Sequence, residues 1–325
     1  MNAALRLFAP PRFLAMSAAG VEISDAFVRA VQLSGSLRNA RIEWWAEEPL
    51  PQGAVVGGAL SNASAVAETL MRIRRAHRFD FAHVSLSEQH TYLFEVTLAG
   101  NTTPEEARQA VALRLEEEVP LRGSDAVFDV APAPLLGAAL GAPHRYYAAA
   151  AARKTVEAYA RVCAEAEFAP LSLESEAAAV ARAVASADAL SPLLIMHLAE
   201  DDAGLYITSG LSPRFSSTVP LIAEAVANEP AALAGETRRV CSFWETRSAQ
   251  GGNGSTVRRA VACGRGAANA RTLSLLSAAM HMPVEPALVW RNVLSVERAA
   301  PLMPQNDSLR FAVAVGSALR TFSYA

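Results

Sequence analysis

The fold of this chain is decided by one stretch near its amino terminus, Gly20-Val21-Glu22-Ile23-Ser24-Asp25-Ala26-Phe27-Val28-Arg29-Ala30-Val31-Gln32-Leu33. Apolar and polar side chains alternate on both sides of Ser24-Asp25, a pattern typical of strands with one buried face. Serine and aspartate favour tight turns because their side chains bond to nearby backbone groups. The stretch therefore predicts a strand, a polar turn and a returning strand.

The overall composition limits the class of protein. Of the 325 residues, 52% are hydrophobic and 19% are charged, and the formal net charge is −3. A chain of this length buries a full core and is expected to form two domains. The charge balance argues against a nucleic-acid partner, and no apolar run approaches the ~20 residues of a membrane span. We expect no secretory signal, because Pro10-Pro11-Arg12 interrupts the apolar amino terminus.

Cysteine and lysine usage argues against several kinds of site. The cysteines are widely spaced and form no Cys-x-x-Cys pair, so we expect reduced thiols in a cytoplasmic protein; they are Cys163, Cys241 and Cys263. Lys154 is the only lysine, and no glycine precedes it, which excludes a Walker phosphate loop and argues against a Schiff-base enzyme. No triad, carboxylate pair or histidine spacing stands out. The sequence thus indicates no catalytic residue and no metal site.

The second half of the chain repeats the pattern of the first. Residues 193–198 predict a strand, Glu200-Asp201-Asp202 a polar turn, and residues 204–208 the returning strand. Two halves that open in the same way indicate an internal duplication. Such a duplication is typical of the actin, Hsp70 and sugar-kinase architecture, an α/β fold in which nucleotide lies between the halves.

A separate block interrupts the first half. Thr103-Pro104-Glu105-Glu106 carries a capping box with proline at the first helical position, and Pro120 ends that helix. Strand-like segments follow at 126–130 and 145–149, and then a second amphipathic helix. The block at 99–170 predicts a small inserted α+β subdomain.

With these elements in place, the chain resembles the PilM family of type IV pilus assembly proteins. These are actin-like relatives of the division protein FtsA and, more distantly, of the GspL cytoplasmic domain of type II secretion. The resemblance covers nearly the whole chain after residue 17, and it rests on the order of several segments. They are Gly20-Val21-Glu22-Ile23-Ser24 with Val28-Arg29-Ala30-Val31, the helix 105–119 before Pro120, the segment 156–176, and the carboxy-terminal segment 311–320.

The resemblance implies an actin-like ATPase fold of the ribonuclease H-like class. Two domains would each hold a mixed sheet flanked by helices, and a small 1C-type subdomain would be inserted in the first. The implied divisions are a flexible arm at 1–16, subdomain 1A at 17–98, subdomain 1C at 99–170, a return to 1A at 171–190, domain 2 at 191–307 with a shortened 2B at about 220–256, and a final helix at 308–325 that packs on 1A.

Folds of this kind bind ATP and magnesium with two hairpin turns and a glycine-rich segment. The resemblance therefore implies candidate nucleotide contacts at Glu22, Ser24, Asp25, Gly264 and Gly266. Glu22 would hold the magnesium shell, and the turn at Ser24 and Asp25 would meet phosphate. The glycines would bend the chain into a helix amino terminus that accepts an anion. Alternatively, Glu22 is only a solvated acid on a strand, Ser24 and Asp25 are ordinary turn residues, and Gly264 and Gly266 serve only the geometry of a turn.

The chain departs from the family pattern where phosphate chemistry is expected. Ser24 stands in place of a glycine, and its Cβ hinders close approach of the backbone to phosphate. His197 and Ala199 stand in place of the Asp-x-Gly of the second turn, and magnesium prefers oxygen ligands to histidine. His197 is read as a structural histidine or, alternatively, as a catalytic base. These departures predict an ATP site that is weakened or lost.

Two functions of different classes follow from the resemblance. The favoured one is a scaffold at the inner face of the cytoplasmic membrane, reaching the membrane only through its protein partners. It would dock the N-terminal segment of a PilN-like inner-membrane pilus protein between subdomains 1A and 1C. That cleft would involve the strand at 92–98 and the helix from Glu105. Other pilus assembly proteins would be further partners. The alternative is an enzyme, an ATPase or a sugar- or acetate-type kinase of the actin superfamily.

Overall fold

The computed structural model describes most of the chain, and the predicted arm at 1–16 lies outside the described residues. The described residues are 17–35, 40–99, 102–132, 144–187, 189, 191–220, 230–250, 256–293 and 303–322. The strands are β1 (Ala19–Ile23), β2 (Phe27–Ser34), β3 (Arg41–Pro49), β4 (Val55–Val56), β5 (Ala59–Leu60), β6 (Phe81–Leu86), β7 (Thr91–Leu98), β8 (Ala126–Pro132), β9 (His144–Ala152), β10 (Ala169–Ser175), β11 (Leu193–Leu198), β12 (Ala203–Ser209), β13 (Ser212–Val219), β14 (Ala260–Cys263) and β15 (Val284–Pro286). The helices are α1 (Ala63–His77), α2 (Pro104–Glu118), α3 (Arg153–Glu165), α4 (Glu176–Val184), α5 (Pro230–Gln250), α6 (Ala270–Met280), α7 (Gln305–Ser308) and α8 (Ala312–Leu319).

The first sheet is built around the opening hairpin. Its strand order is β10-β6-β1-β2-β3, with β1 antiparallel to β2 and parallel to β6. The pairing of β1 with β2 places Glu22 directly opposite Arg29, which confirms the hairpin predicted from the alternation. On one face of this sheet, α1 and α3 pack through buried side chains such as Leu70 and Tyr159. The sheet is therefore mixed and covered by helices.

The second sheet repeats this arrangement. Its order is β13-β12-β11-β14-β15, and β11 is antiparallel to β12 but parallel to β14. The predicted second hairpin is confirmed, with its turn at residues 199–202. Helices α5 and α6 pack against each other beside this sheet. The duplication inferred from the sequence thus holds at the level of sheet topology.

Helices α4 and α8 lie between the two sheets. Every residue of α8 is buried, and its backbone runs so close to α4 that a Cβ on Gly316 would stand 1.7 Å from the carbonyl oxygen of Ala179. One hydrophobic cluster joins Val31 of the first sheet, both helices and Leu194 of the second sheet. The two halves consequently share a continuous core.

The inserted block has a small core of its own. Its sheet has the order β7-β9-β8, and α2 covers it through residues that include Val111 and Leu115. The capping box predicted at Thr103 is present, with Thr103 and Glu106 bonded to each other's backbone. Strand β7 and helix α3 each belong to a different body from the one implied by the predicted boundaries at 98 and 170. Strand β7 pairs along its length with β9 in the block, whereas the buried side chains of α3, which are Tyr159, Val162 and Cys163, belong to the core of the first sheet.

Helix α5 buries Leu233, Val240 and Trp244. Phe243 of the same helix is 50% exposed and lies against Phe215, with the two ring centroids 5.3 Å apart. Parts of the predicted shortened 2B region, 221–229 and 251–255, lie outside the described residues. None of the helices within the described ranges is long and apolar enough to cross a membrane.

Candidate functional site

The two hairpin turns meet at a cavity between the sheets. Its volume is about 230 Å³. The structure brings three predicted residues, Glu22, Ser24 and Asp25, to its wall together with His197 and Ala199 of the second hairpin. The remaining described residues that line it are Ile23, Gly57, Ser87, Gln89, Glu176, Glu200, Asp201, Asp202 and Pro220.

Glu22 is engaged by a buried arginine. It is 3% exposed, and its Oε1 accepts a hydrogen bond of 3.1 Å from Nη1 of Arg29. Arg29 also donates to Glu47 at 2.7 Å and to Glu200 across the gap between the sheets. Burial raises the pKa of Glu22 to about 7, although Arg29 opposes that rise. A guanidinium thus stands beside the carboxylate that was predicted to hold magnesium.

Ser24 and Asp25 bond within the protein. The Ser24 backbone N–H donates to the carbonyl oxygen of Phe27 at 2.9 Å, and the Ser24 hydroxyl accepts from the Phe27 N–H at 3.1 Å. The Asp25 carboxylate accepts from the backbone N–H groups of Gly57 at 2.5 Å and Gly58 at 2.9 Å. These bonds close the turn and hold the β4–β5 connection against it. The turn amide of Ser24 therefore points into the hairpin and is already satisfied.

His197 forms a second charged group across the cavity. Its Nδ1 lies 2.5 Å from Oε1 of Glu176, and the Tyr206 hydroxyl donates to the same oxygen at 2.6 Å. Burial lowers the pKa of His197, but the Glu176 carboxylate outweighs burial and raises that pKa to about 9. At neutral pH, His197 is therefore a cation held by a carboxylate, which makes it a poor general base.

Gly264 and Gly266 lie behind β11 and are not among the described residues that line the cavity. Gly264 has φ +85°, and a Cβ there would stand 2.4 Å from the carbonyl oxygen of Leu198. Its N–H donates to the carbonyl oxygen of Leu309 at 2.8 Å. A Cβ on Gly266 would stand 2.9 Å from Cβ of Leu198. Close packing thus accounts for both glycines.

The sequence interpretation missed two important residues, Arg29 and Glu176. Arg29 could have been predicted, because it is a lone arginine in an apolar strand and lies opposite Glu22 in the predicted hairpin. Glu176 follows the helix cap Ser175, where an acid is favoured by the helix dipole whatever its function. Its contact with His197 arises only from the tertiary fold.

Acidic side chains predominate over basic ones among the described residues that line the cavity. Six of the lining side chains are carboxyls, and Arg29 is bound to three carboxylates. Within the described ranges, no three His, Cys, Asp or Glu side chains are placed to hold a metal ion. Phosphates without a metal would face like charge.

Two mixed sheets, each opened by a hairpin and separated by a cleft, define a protein with the actin-like ATPase fold. A family model described as type IV pilus assembly protein PilM matches residues 20–194. The chain belongs to this PilM family.

Two solved structures are similar over nearly the whole chain. The PilM–PilN type IV pilus biogenesis complex superposes with a TM-score of 0.79 at 21% identity, covering 95% of this chain and 99% of that one. The cytoplasmic domain of EpsL, an inner membrane component of the type II secretion system of Vibrio cholerae, gives 0.51 at 12% identity, covering 94% and 95%. At these identities, the likeness concerns the fold. None of the curated proteins matches the sequence.

Proposed function

We propose that this chain is a scaffold of type IV pilus assembly that docks the N-terminal segment of a PilN-like inner-membrane protein. It would act at the inner face of the cytoplasmic membrane, joining that membrane protein to other assembly proteins. Membership of the PilM family supports the pilus role, and the structural similarity to a PilM–PilN complex supports the partner.

The inserted block is the observation that carries the docking proposal. Its core, which includes Phe94 and Leu115, is separate from the core of the first sheet. Two strands, β7 and β9, connect the two bodies, and the proposed docking site for the peptide lies between these bodies along β7. Leu98 and Tyr92 on this strand are only partly buried by the block itself.

The block is also held in place by the second sheet. Arg214 on β13 donates to Glu95 on β7 at 2.5 Å, and its guanidinium lies 4.6 Å from the ring centre of Tyr147 on β9. Arg145 reaches the same carboxylate at 3.5 Å. A surface fixed in this way before binding loses less entropy when a peptide docks, which favours affinity.

Titration of the full chain with the N-terminal peptide of the PilN-like protein tests this proposal. We expect one-site binding by fluorescence anisotropy. The variant Leu98→Ala should weaken binding roughly tenfold, because a peptide along β7 would bury this side chain, and burying a leucine contributes about 1.5–3 kcal/mol. Leu288→Ala is the matched control, since Leu288 is 51% exposed and follows β15 of the second sheet. Absence of binding at millimolar peptide would contradict the proposal.

The same proposal includes an ATP site that is weakened or lost, so that the chain is no enzyme. The engagement of Glu22 by Arg29 and of Ser24 within its own turn supports this part. We expect Mg-ATP at millimolar concentration to leave the melting temperature unchanged. A retained site at 100 times its Kd would add about 2.7 kcal/mol of stability. A saturable shift would mean retained nucleotide binding, and turnover would favour the kinase or ATPase alternative.

A further inference from the structure

The two hairpin turns face each other across the cavity and are joined by polar side chains. The cavity has a volume of about 230 Å³, and residues of both turns line it, among them Ser24 and Asp201. The shared apolar core of the two halves, which includes α4 and α8, contains no residue of either turn. Well-packed interiors leave few voids larger than a water molecule, so the turns are not packed against each other where the cavity lies. Their relative position there depends on polar contacts that reach across.

Arg29 makes one of these contacts from a fixed position. Its side chain is 2% exposed and is held on its own sheet by two carboxylates. Nε donates to Glu47 at 2.7 Å, and Nη1 donates to Glu22 at 3.1 Å. Nη2 donates to Oε1 of Glu200 in the turn of the second hairpin. Because the guanidinium is planar and two of its sides are already bound, its third side points in a fixed direction, towards the second half.

A second contact crosses beside the first. Gln89 lies in the single helical turn Glu88–His90, which follows β6 of the first sheet. Its Nε2 donates to Oδ2 of Asp202 at 2.9 Å. The turn that carries Asp202 and Glu200 is itself closed by a hydrogen bond of 3.1 Å from the Ala199 N–H to the carbonyl oxygen of Asp202. Both acceptors thus belong to one closed turn, and movement of that turn away from the first sheet would break both contacts together.

We propose that the Arg29–Glu200 and Gln89–Asp202 contacts form a latch that holds the two halves closed without a nucleotide. In the expected nucleotide site, a ligand would join the two hairpins, whereas in this chain its own side chains join them. The latch is a property of the free protein. It goes beyond the docking proposal and does not depend on it, so a failed peptide titration would leave the latch standing.

Two spin labels measure the closure directly. Val56 is 58% exposed beside Gly57 of the cavity wall, and Leu288 is 51% exposed just after β15 of the second sheet. The variants Val56→Cys and Leu288→Cys carry the labels in the full chain, and Cys241→Ser removes the half-buried native thiol. We expect double electron–electron resonance to give one narrow distance without nucleotide. Millimolar Mg-ATP should leave this distance unchanged.

Removing both contacts should open the cleft. In the labelled protein, Glu200→Ala combined with Gln89→Ala should add a population with a longer distance. The ratio of open to closed molecules should rise roughly tenfold or more, the change expected from losing a hydrogen bond to a charged group. The fold should survive, because Arg29 keeps Glu22 and Glu47 as partners, and an unchanged circular dichroism spectrum checks this. If the double variant does not fold, Glu200→Ala alone is compared in the same way.

Two further variants separate the latch from a general loss of charge. Glu200→Gln keeps an oxygen that can accept from Arg29, so it should remain mainly closed. Glu236→Ala removes an exposed ion pair with Arg239 within α5 and should give the distance of the unsubstituted protein. Opening in the Glu236 variant as well would assign the effect to net charge and not to the latch.

Two other results would overturn the inference. The first is a double variant that folds and keeps the original distance, because other contacts would then hold the halves together. The second is an unsubstituted protein that is open without nucleotide and closes with Mg-ATP, because the nucleotide would then be the closing element.

Discussion

The variant Gly316→Ala is expected to lose most of the stability of the fold. A Cβ at this position would stand 1.7 Å from the carbonyl oxygen and 2.4 Å from the carbonyl carbon of Ala179. Both atoms belong to the backbone of α4, so no side-chain rotation relieves the contact. Helix α8 would have to move away from α4 inside the core that joins the two sheets. We expect a loss above about 4 kcal/mol, measured by urea denaturation.

Gly235→Ala is the control for this prediction. Gly235 also lies in a helix, α5, but a Cβ there meets no atom within 4 Å. Alanine is favoured over glycine in a helix interior by about 1 kcal/mol, so this variant should be neutral or stabilised. A Gly316→Ala protein with an unchanged urea midpoint would show that α4 and α8 do not approach as closely as described.

Replacing the buried Arg29 should cause the second largest loss in the free energy of unfolding. Arg29→Met leaves the carboxylates of Glu22, Glu47 and Glu200 without their shared cation. Breaking a buried ion pair from one side costs about 3–5 kcal/mol, because a buried charge stays uncompensated. The loss should be largest near pH 8 and smaller near pH 5, where Glu22, whose pKa burial raises to about 7, takes up a proton and leaves one charge fewer uncompensated. Chemical denaturation at the two pH values measures this difference.

Arg72→Met provides the matched control. Arg72 has a 54% exposed side chain and lies 3.6 Å from Glu48, so its ion pair is screened by solvent. Its loss should cost less than about 1 kcal/mol at either pH. Equal destabilisation by the two substitutions would mean that Arg29 is not a shared buried counter-ion. Arg29→Met combined with Glu22→Gln should recover part of the lost stability.

Local patterns were sufficient to predict the elements that frame the site. The alternation around Ser24-Asp25 predicted a hairpin, and the capping box at Thr103 predicted the start of α2; both are confirmed. These features depend on residues close in sequence. The placement of β7 did not follow from its own pattern, because an alternating strand looks the same whichever sheet it joins. Its partner, β9, lies some 50 residues further along the chain.

The roles of the candidate site residues were harder to predict from the sequence. A Gly-x-Gly segment suits an anion site and suits close backbone packing equally well. The residues that distinguish these cases at Gly264 are Leu198 and Leu309, which are distant in sequence. The charge state of His197 likewise depends on Glu176, which only the fold brings near. Glu22, in contrast, could have been paired with Arg29 from the predicted hairpin register.

The shared core has a mechanical consequence for the proposed scaffold. Helices α4 and α8 fill the space between the sheets, so apolar contacts run without interruption from Val31 to Leu194. Packed protein interiors have low compressibility and transmit strain. A pull applied at the inserted block passes through Arg214 into the second sheet, and the core resists separation of the halves. For the proposed scaffold, these contacts would favour transmitting a pull between the halves over opening the cleft.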